Sequence, residues 1–281
     1  MGKLIQYATA ASHYAGEFHW EAAGMGYVIV SDDGHLICVD GGETDEDAKG
    51  MLALLEAESH GKPVVDAWIL THPHSDHYGA LSALSSDPAL RERVTVKKLV
   101  MNMPEKLPWE SRGGTASASR DMARVHAIAP ALGAEVVSPG TGDILTFGPI
   151  SMRVFFVYSD AETLEDPNEL SMVFSLRGEK KSAMFVGDSY RNGLQTALKN
   201  PKNRPEDYPC DMIQVAHHAL NGGDIDFYAA VNASIALVPM SRSGDRDMAR
   251  PDETCNRHNR FAIDHADTVV KAFTGTAAIE F

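Results

Sequence analysis

Cysteine is scarce in this chain, which contains only Cys38, Cys210 and Cys255 among its 281 residues. No two of these cysteines form a C-x-x-C pair. The spacing therefore argues against a disulfide framework and against a zinc site built from paired thiolates. We interpret all three as structural thiols in a reducing compartment.

The sequence also lacks a long apolar run and an excess of positive charge. No segment approaches the ~20 apolar residues of a membrane-spanning helix, and residues 1–20 contain no apolar stretch long enough for a signal peptide. We therefore expect a soluble, cytoplasmic protein without a membrane partner. With 25 basic and 39 acidic residues, the net charge is −14. This charge argues against a nucleic-acid partner, because phosphate contacts need clustered Lys and Arg, but a bound metal would still permit a small anionic substrate.

Strands and helices are interspersed along the chain, and we predict a single domain over residues 1–281. The periodicity of apolar residues predicts strands at 27–30, 35–39, 64–70, 94–100, 144–147, 150–157, 170–176, 182–186, 211–216, 234–239 and 276–281. It predicts helices at 45–60, 78–86, 115–132, 224–231 and 261–273. Residues 241–259 are polar and are predicted to be irregular.

The most informative segment is THPHSDH, residues 71–77, which directly follows the predicted strand 64–70. It places His72, His74, Asp76 and His77 within six positions. Neutral imidazoles and a carboxylate suit zinc, iron or manganese. Ligands on a loop at the end of a strand are held by a rigid scaffold and stay open to a substrate. The segment therefore predicts a metal site.

Two later segments also end a predicted strand with residues able to bind a metal. The first ends in Gly187-Asp188, and the second ends in His217-His218. Gly-Asp alone is a common turn, and a single pair of histidines alone is a moderate signal. Three strands that all end in such residues strengthen the prediction of one shared site.

Together these motifs resemble the metallo-β-lactamase fold superfamily over roughly residues 24–281. The resemblance implies an α/β fold, a four-layer αββα sandwich with a two-metal site at one edge. Segments 168–174, 187–188, 215–218 and 274–279 are similar to one branch of the superfamily. That branch contains the hydrolase domain of bacterial DNA-uptake channel proteins and a phosphorylcholine esterase.

The resemblance also implies a ligand set. His72 and His74 match ligands of the first metal, Asp76 and His77 match ligands of the second, and Asp188 matches the bridging carboxylate. The last ligand of the second metal matches His217, in preference to its neighbour His218.

The chain departs from the family at one ligand position. Most members place a further His on the first metal, between the first motif and the Gly-Asp. His126 is the only histidine in that interval, and we interpret it as structural because it lies within a predicted helix. Asn168, a weak neutral ligand, stands near the expected position. We therefore expect two divalent ions, zinc in preference to manganese or iron, with a weaker first site.

These residues predict a metal-dependent hydrolase that uses a metal-activated water on a phosphoester or another small ester. Asp76 would double as the catalytic group that orients the water or accepts its proton. Two alternatives stay open: a nuclease of the DNA-uptake type, and a metal-binding protein or sensor without turnover. The high negative charge weighs against the nuclease, and the missing third His motivates the sensor.

Two segments are candidates for substrate contacts. The first is the loop 104–114 with Trp109. The second is the stretch 241–259, whose four arginines would grip a phosphate: Arg242, Arg246, Arg250 and Arg257. The alternative is a solvated loop whose arginines pair with neighbouring aspartates.

Overall fold

Two β-sheets face each other in the computed structural model, which describes residues 1–16, 24–106, 116–161, 164, 166–248 and 257–281. The first sheet contains β1 (Lys3–Gln6), β2 (Gly26–Val30), β3 (Leu36–Asp40), β4 (Val64–Ile69), β5 (Thr95–Val96), β6 (Lys98–Val100), β7 (Glu135–Val137) and β15 (Ala277–Glu280). The second contains β8 (Ile144–Phe147), β9 (Ile150–Phe156), β10 (Val173–Arg177), β11 (Ser182–Phe185), β12 (Met212–Gln214), β13 (Ile235–Val238) and β14 (Thr268–Lys271).

The strand order is β15-β1-β2-β3-β4-β6-β7 in the first sheet, with β5 also paired to β4. In the second sheet it is β14-β13-β12-β11-β10-β9-β8. Strands β3, β4, β6 and β7 are parallel neighbours, as are β11, β12, β13 and β14. The carboxyl ends of these parallel strands meet at one edge of each sheet, and those edges carry the candidate site.

Helices cover the outer faces of both sheets. They are α1 (Asp45–Glu58), α2 (Ser75–Ser86), α3 (Pro88–Arg91), α4 (Ala116–Leu132), α5 (Arg191–Lys199), α6 (Ile225–Val231), α7 (Arg242–Met248) and α8 (Arg257–His265). Helix α1 begins with a capping box between Thr44 and Asp47, which satisfies backbone N–H groups that would otherwise lack a partner.

Three apolar cores separate the four layers. In β2, Tyr27 and Ile29 point into the core between the sheets, whereas Val28 and Val30 point towards α1, α2 and α4. A third core joins the other face of the second sheet to α5, α6 and α8. Strands buried on both faces read as continuous apolar runs, as they do here. This layering confirms the predicted αββα sandwich.

Several predicted element bounds are wrong. Helix α2 begins at Ser75 rather than at residue 78, so Asp76 and His77 lie in its first turn. A carboxylate is favourable there because it interacts with the positive end of the helix dipole. The stretch predicted as irregular contains α7 and the start of α8. The helix predicted over 261–273 ends at His265 and is followed by β14, whose Thr-Val-Val sequence favours a strand.

Among the residues that the structure describes, no helix is both long enough and apolar enough to span a bilayer.

Candidate metal centre

Loops from four parallel strands form the candidate site. Strand β3 ends at Asp40, β4 leads into residues 71–77, and β11 and β12 lead to Asp188 and to residues 217–218. Met172, directly before β10, donates its N–H to the Thr71 carbonyl at 3.0 Å and so joins the two sheets here. Within the second sheet, His217 N–H donates to the Gly187 carbonyl at 3.1 Å. The topology therefore brings chain segments from both sheets to one point.

Gly187 permits this close approach. Its φ is +55°, and a Cβ there would lie 2.9 Å from Ser171 Oγ and 2.9 Å from Thr71 Cβ. A side chain would be strained both by the backbone conformation and by these contacts. Glycine at position 187 therefore lets the segments that carry Thr71, Ser171 and Asp188 approach one another.

Two groups of ligand-type side chains converge on Asp188. One group contains His72, His74 and Asp188, and the other contains Asp76, His77, Asp188 and His218. Within each group the candidate ligand atoms lie within 4.8 Å of one another. Asp188 belongs to both groups, and this is the arrangement that a carboxylate shared by two neighbouring cations requires.

The separations between these atoms suit a cation. His72 Nε2 and His74 Nδ1 lie 3.1 Å apart, and His77 Nε2 lies 3.3 Å from His218 Nε2. Asp188 Oδ2 lies 3.3 Å from His77 Nε2 and 3.4 Å from His218 Nε2. Two ligand atoms around a tetrahedral zinc, each ~2.1 Å from the ion, are themselves about 3.4 Å apart. The side chains are therefore spaced as ligands.

The structure groups His218, and not His217, with Asp76 and His77. His218 Nε2 lies 2.9 Å from Asp76 Oδ2, and its Nδ1 lies 2.9 Å from the Pro239 carbonyl oxygen. A hydrogen bond at one ring nitrogen fixes the orientation of the other towards a metal. His217 lies at the rim of the group, with Nε2 3.7 Å from Asp188 Oδ2. The geometry favours the neighbour that the sequence prediction ranked second.

A left-handed turn produces this placement. His217, His218 and Ala219 have φ values of +49°, +52° and +62°, a conformation that costs non-glycine residues roughly 1–2 kcal/mol each. Asn259 of α8 is fully buried, and its Nδ2 donates to the Ala216 carbonyl at 3.0 Å and to the Leu220 carbonyl at 3.1 Å. Asn259 thus holds both ends of the strained turn.

Asp40 is a site residue that the sequence prediction missed. It is fully buried, and its Oδ2 lies 2.7 Å from His77 Nδ1. It also accepts hydrogen bonds from the Thr71 N–H at 2.9 Å and the Thr71 hydroxyl at 2.7 Å. A carboxylate behind a metal-binding imidazole fixes its tautomer and raises its basicity. In the sequence, Asp40-Gly41-Gly42 resembles an ordinary turn at the end of a strand.

Burial and charge set the protonation of the site. Burial, helped by the nearby His77, holds the pKa of His72 well below its usual value, so this imidazole is neutral. Burial alone would lower the pKa of His218, but Asp188 and Asp76 raise it to about 10. Burial alone would also raise the pKa of Asp76, but His77 and His218 hold it below its usual range. Asp76 is therefore an ionised carboxylate.

Two buried oxygen atoms mark the place where a cation fits. Asp188 Oδ1 and Asn168 Oδ1 have no hydrogen-bond partner among the described residues. A buried acceptor without a partner costs about 1–3 kcal/mol, and coordination of a cation would remove this cost. Both residues line a cavity of about 290 Å³, together with His74, Asp76, Tyr190, His217, His218, Leu220 and Asn221. The donor set contains only nitrogen and oxygen, which suits zinc, manganese or iron.

Other predicted residues lie elsewhere. His126 is in α4, with Nε2 3.1 Å from the Pro104 carbonyl oxygen, and belongs to neither ligand group. Arg242 stacks on the Phe273 ring at 5.4 Å, and neither it nor Arg257 lines the cavity. Trp109, Arg250 and the Arg246 side chain fall outside the described residues.

Two of the three cysteines fall within the part of the chain that the structure describes. Cys38 and Cys210 are free and buried, in agreement with their predicted structural role. Cys255 lies outside the described residues.

Similarity to solved structures supports the fold. YhfI of Bacillus subtilis, a metallo-beta-lactamase fold protein, is 13% identical with a TM-score of 0.57, and the match covers all of both chains. Tm1679, described as a metal-dependent hydrolase of the beta-lactamase superfamily, is 14% identical with a TM-score of 0.54 over 99% of each chain. A diphosphatase from the PhnP family is 13% identical with a TM-score of 0.52, over 100% of this chain and 98% of its own.

Comparison with curated protein sequences gives no match. The sequence model of the metallo-beta-lactamase superfamily, in contrast, matches residues 22–226, which include the first motif, the Gly-Asp and both neighbouring histidines. Fold, ligand groups and sequence match agree, and the chain belongs to the metallo-beta-lactamase superfamily.

Proposed function

We propose that this protein is a metal-dependent hydrolase of small esters, with phosphoesters as the preferred class. The observation that carries the proposal is the sharing of Asp188 by two ligand groups at the wall of an open cavity. When bound there, two divalent cations would activate a water molecule and neutralise negative charge that develops on the substrate.

The side chains of the site have three roles: metal binding, catalysis and positioning of a ligand. His72, His74 and Asp188 would hold the first cation, and Asp76, His77, Asp188 and His218 would hold the second. Asp76 is the candidate catalytic residue, because its ionised carboxylate lines the cavity and can orient the attacking water or accept its proton. Asp40 keeps the His77 ring in position from behind.

A phosphoester fits the chemistry of the cavity. Its volume of about 290 Å³ suits a small molecule or the head of a larger one. Two cations held by the groups that share Asp188 would supply the positive charge that suits a displacement at phosphorus. The structural similarity to a diphosphatase is compatible with this substrate class.

A turnover assay tests the proposal. The purified protein is incubated with a phosphodiester and a carboxylic ester, bis(p-nitrophenyl) phosphate and p-nitrophenyl acetate, with and without added zinc or manganese. We expect metal-dependent release of p-nitrophenol, larger from the phosphodiester. Asp188→Asn should abolish it, whereas His126→Gln, a histidine outside both ligand groups, should retain it. Absence of metal-dependent turnover on a broad ester panel would refute the hydrolase.

The same preparation separates the alternatives. Cleavage of single- or double-stranded DNA in a gel assay would favour a nuclease of the DNA-uptake type. That this chain resembles the DNA-uptake branch in particular stays a prediction. Tight metal binding without turnover of any substrate would favour a sensor. The cytoplasmic location likewise stays a prediction.

A further inference from the structure

Tyr190 lies in the wall of the candidate metal centre, although no motif pointed to it. It stands two residues after Asp188 and is the N-cap residue of α5. Its side chain is half-buried and lines the cavity together with Asp76, Asp188 and His218. Its ring centroid lies 5.6 Å from that of His217. The phenol is therefore positioned to contact a molecule that occupies the cavity.

Asn168 fixes the role of the phenol oxygen. Its Nδ2 donates a hydrogen bond to Tyr190 Oη at 2.9 Å, and the Asn168 side chain is only 5% exposed. A phenol oxygen that accepts one hydrogen bond still carries its own hydrogen, which needs an acceptor elsewhere. Among the described residues, Tyr190 has no such acceptor.

The amide orientation follows from the same site. Asn168 Oδ1 is buried without a hydrogen-bond partner among the described residues. The reverse orientation would place the amide hydrogens in this buried position, where no described residue accepts them and where a cation in the neighbouring cavity would repel them. An amide oxygen in that place would be attracted by a cation. The favourable orientation therefore keeps Nδ2 on Tyr190.

We propose that Tyr190 donates its phenol hydrogen to an oxygen of the bound substrate. The proposal rests on the proposed function and adds to it a residue that contacts the reacting group. The acceptor would be a non-bridging oxygen of a phosphoryl group, or the carbonyl oxygen of an acyl group. Such a donor stabilises negative charge that develops in the transition state.

A tyrosine hydroxyl carries its hydrogen at neutral pH, because the ordinary pKa of a phenol is about 10. The hydrogen bond from Asn168 makes the hydroxyl a stronger donor, because hydrogen bonds in a chain polarise one another.

Phosphate binding tests the proposal without a known substrate. Inorganic phosphate is titrated by calorimetry into the manganese-loaded wild type and into Tyr190→Phe, which keeps the ring but removes the hydroxyl. A hydrogen bond to a charged group is worth about 1.5–3 kcal/mol, so we expect binding to weaken about 10- to 100-fold. Manganese stoichiometry and affinity should not change.

Tyr7→Phe is the matched control, because Tyr7 is also half-buried, packs against the core beside α1 and does not line the cavity. It should bind phosphate as the wild type does. Equal phosphate affinity in Tyr190→Phe and wild type would overturn the proposal, as would loss of manganese in Tyr190→Phe or failure of the wild type to bind phosphate. If phosphate binding depends on Tyr190 but no ester is turned over, the proposed role of Tyr190 is supported and only the proposed hydrolase function is refuted.

Discussion

At the scale of single residues, the candidate site depends on groups behind the ligands as much as on the ligands. Asp40 contacts His77 and both polar groups of Thr71, and therefore connects the ends of β3 and β4. None of these contacts reaches the cavity. A substitution of Asp40 should consequently change the affinity for metal more than it changes the affinity for substrate.

Replacement of Asp40 by Asn tests this positioning role. The amide still accepts the Thr71 N–H, but it no longer carries the charge that raises the basicity of His77. We expect metal affinity to fall about 10- to 100-fold, measured by competition with a chromophoric chelator. Asp66→Asn is the matched control, because Asp66 Oδ2 lies 2.6 Å from His35 Nδ1 outside the site. Equal metal affinity in wild type and Asp40→Asn would contradict the role.

The two neighbouring histidines give a second prediction at this scale. His218→Gln should lower the capacity of the protein from two equivalents of zinc or manganese to one, because His218 belongs to the second ligand group. His217→Gln should leave the capacity unchanged. Stoichiometry from equilibrium dialysis checks both variants. If only His217→Gln loses one equivalent of metal, then His217 is the ligand of the second metal, as the family resemblance implied.

At the scale of elements, α8 stabilises the turn that carries His218. The three left-handed residues would relax without the two hydrogen bonds from Asn259, so helix packing and metal geometry are coupled. The hydroxyl of Tyr228 in α6 reinforces the coupling, because it donates to Asn259 Oδ1 at 2.6 Å.

Asn259→Ala should therefore lower both stability and metal affinity. Loss of its buried hydrogen bonds should cost about 1–3 kcal/mol of unfolding free energy, and metal affinity should fall as the turn relaxes. The matched control is Asn203→Ala, whose Nδ2 also donates to two carbonyl oxygens, of Phe155 at 2.8 Å and Ala197 at 2.9 Å. Urea unfolding should show a similar loss in both variants. If metal affinity falls equally in both, the specific link between Asn259 and the site is wrong.

The same elements show which features of the site follow from the sequence and which depend on tertiary contacts. Apolar strands that end in ligand-type residues were recognisable, because parallel strands bring their carboxyl ends to one edge. Which of His217 and His218 faces the other ligands depends on the left-handed φ values of the turn that carries them. Asn259 holds this turn from a distant part of the chain, so no local sequence pattern predicts which histidine is the ligand. Helix α8 and strand β14 were predicted as one helix, because the pairing of β14 with β13 is a tertiary contact.

At the scale of the whole molecule, the acidic chain is suited to cations. The net charge of −14 raises the local concentration of divalent ions, and the carboxylates in the site then hold them. Metal uptake must also displace protons, since a protonated imidazole cannot be a ligand.

This coupling predicts the pH dependence of metal binding. Burial would lower the pKa of His77 and His218, but the site carboxylates raise both, that of His218 to about 10. Both are therefore protonated in the metal-free protein at pH 7, and metal affinity should rise with pH, roughly tenfold per unit for each proton released. Calorimetry in buffers of different ionisation enthalpy counts the protons. Affinity that stays constant between pH 6 and 8 would contradict the assignment.

The most direct measurement is an anomalous difference map from crystals soaked in manganese. Two peaks should flank Asp188, separated by roughly 3.5–4 Å, one beside His72 and His74 and the other beside Asp76, His77 and His218. The first metal site, beside His72 and His74, is expected to be the weaker one. An excess of manganese in the soak should fill it, so both peaks should be visible. A map without a peak beside Asp188, or with manganese bound only elsewhere on the chain, would show that these strand ends do not form a shared metal centre.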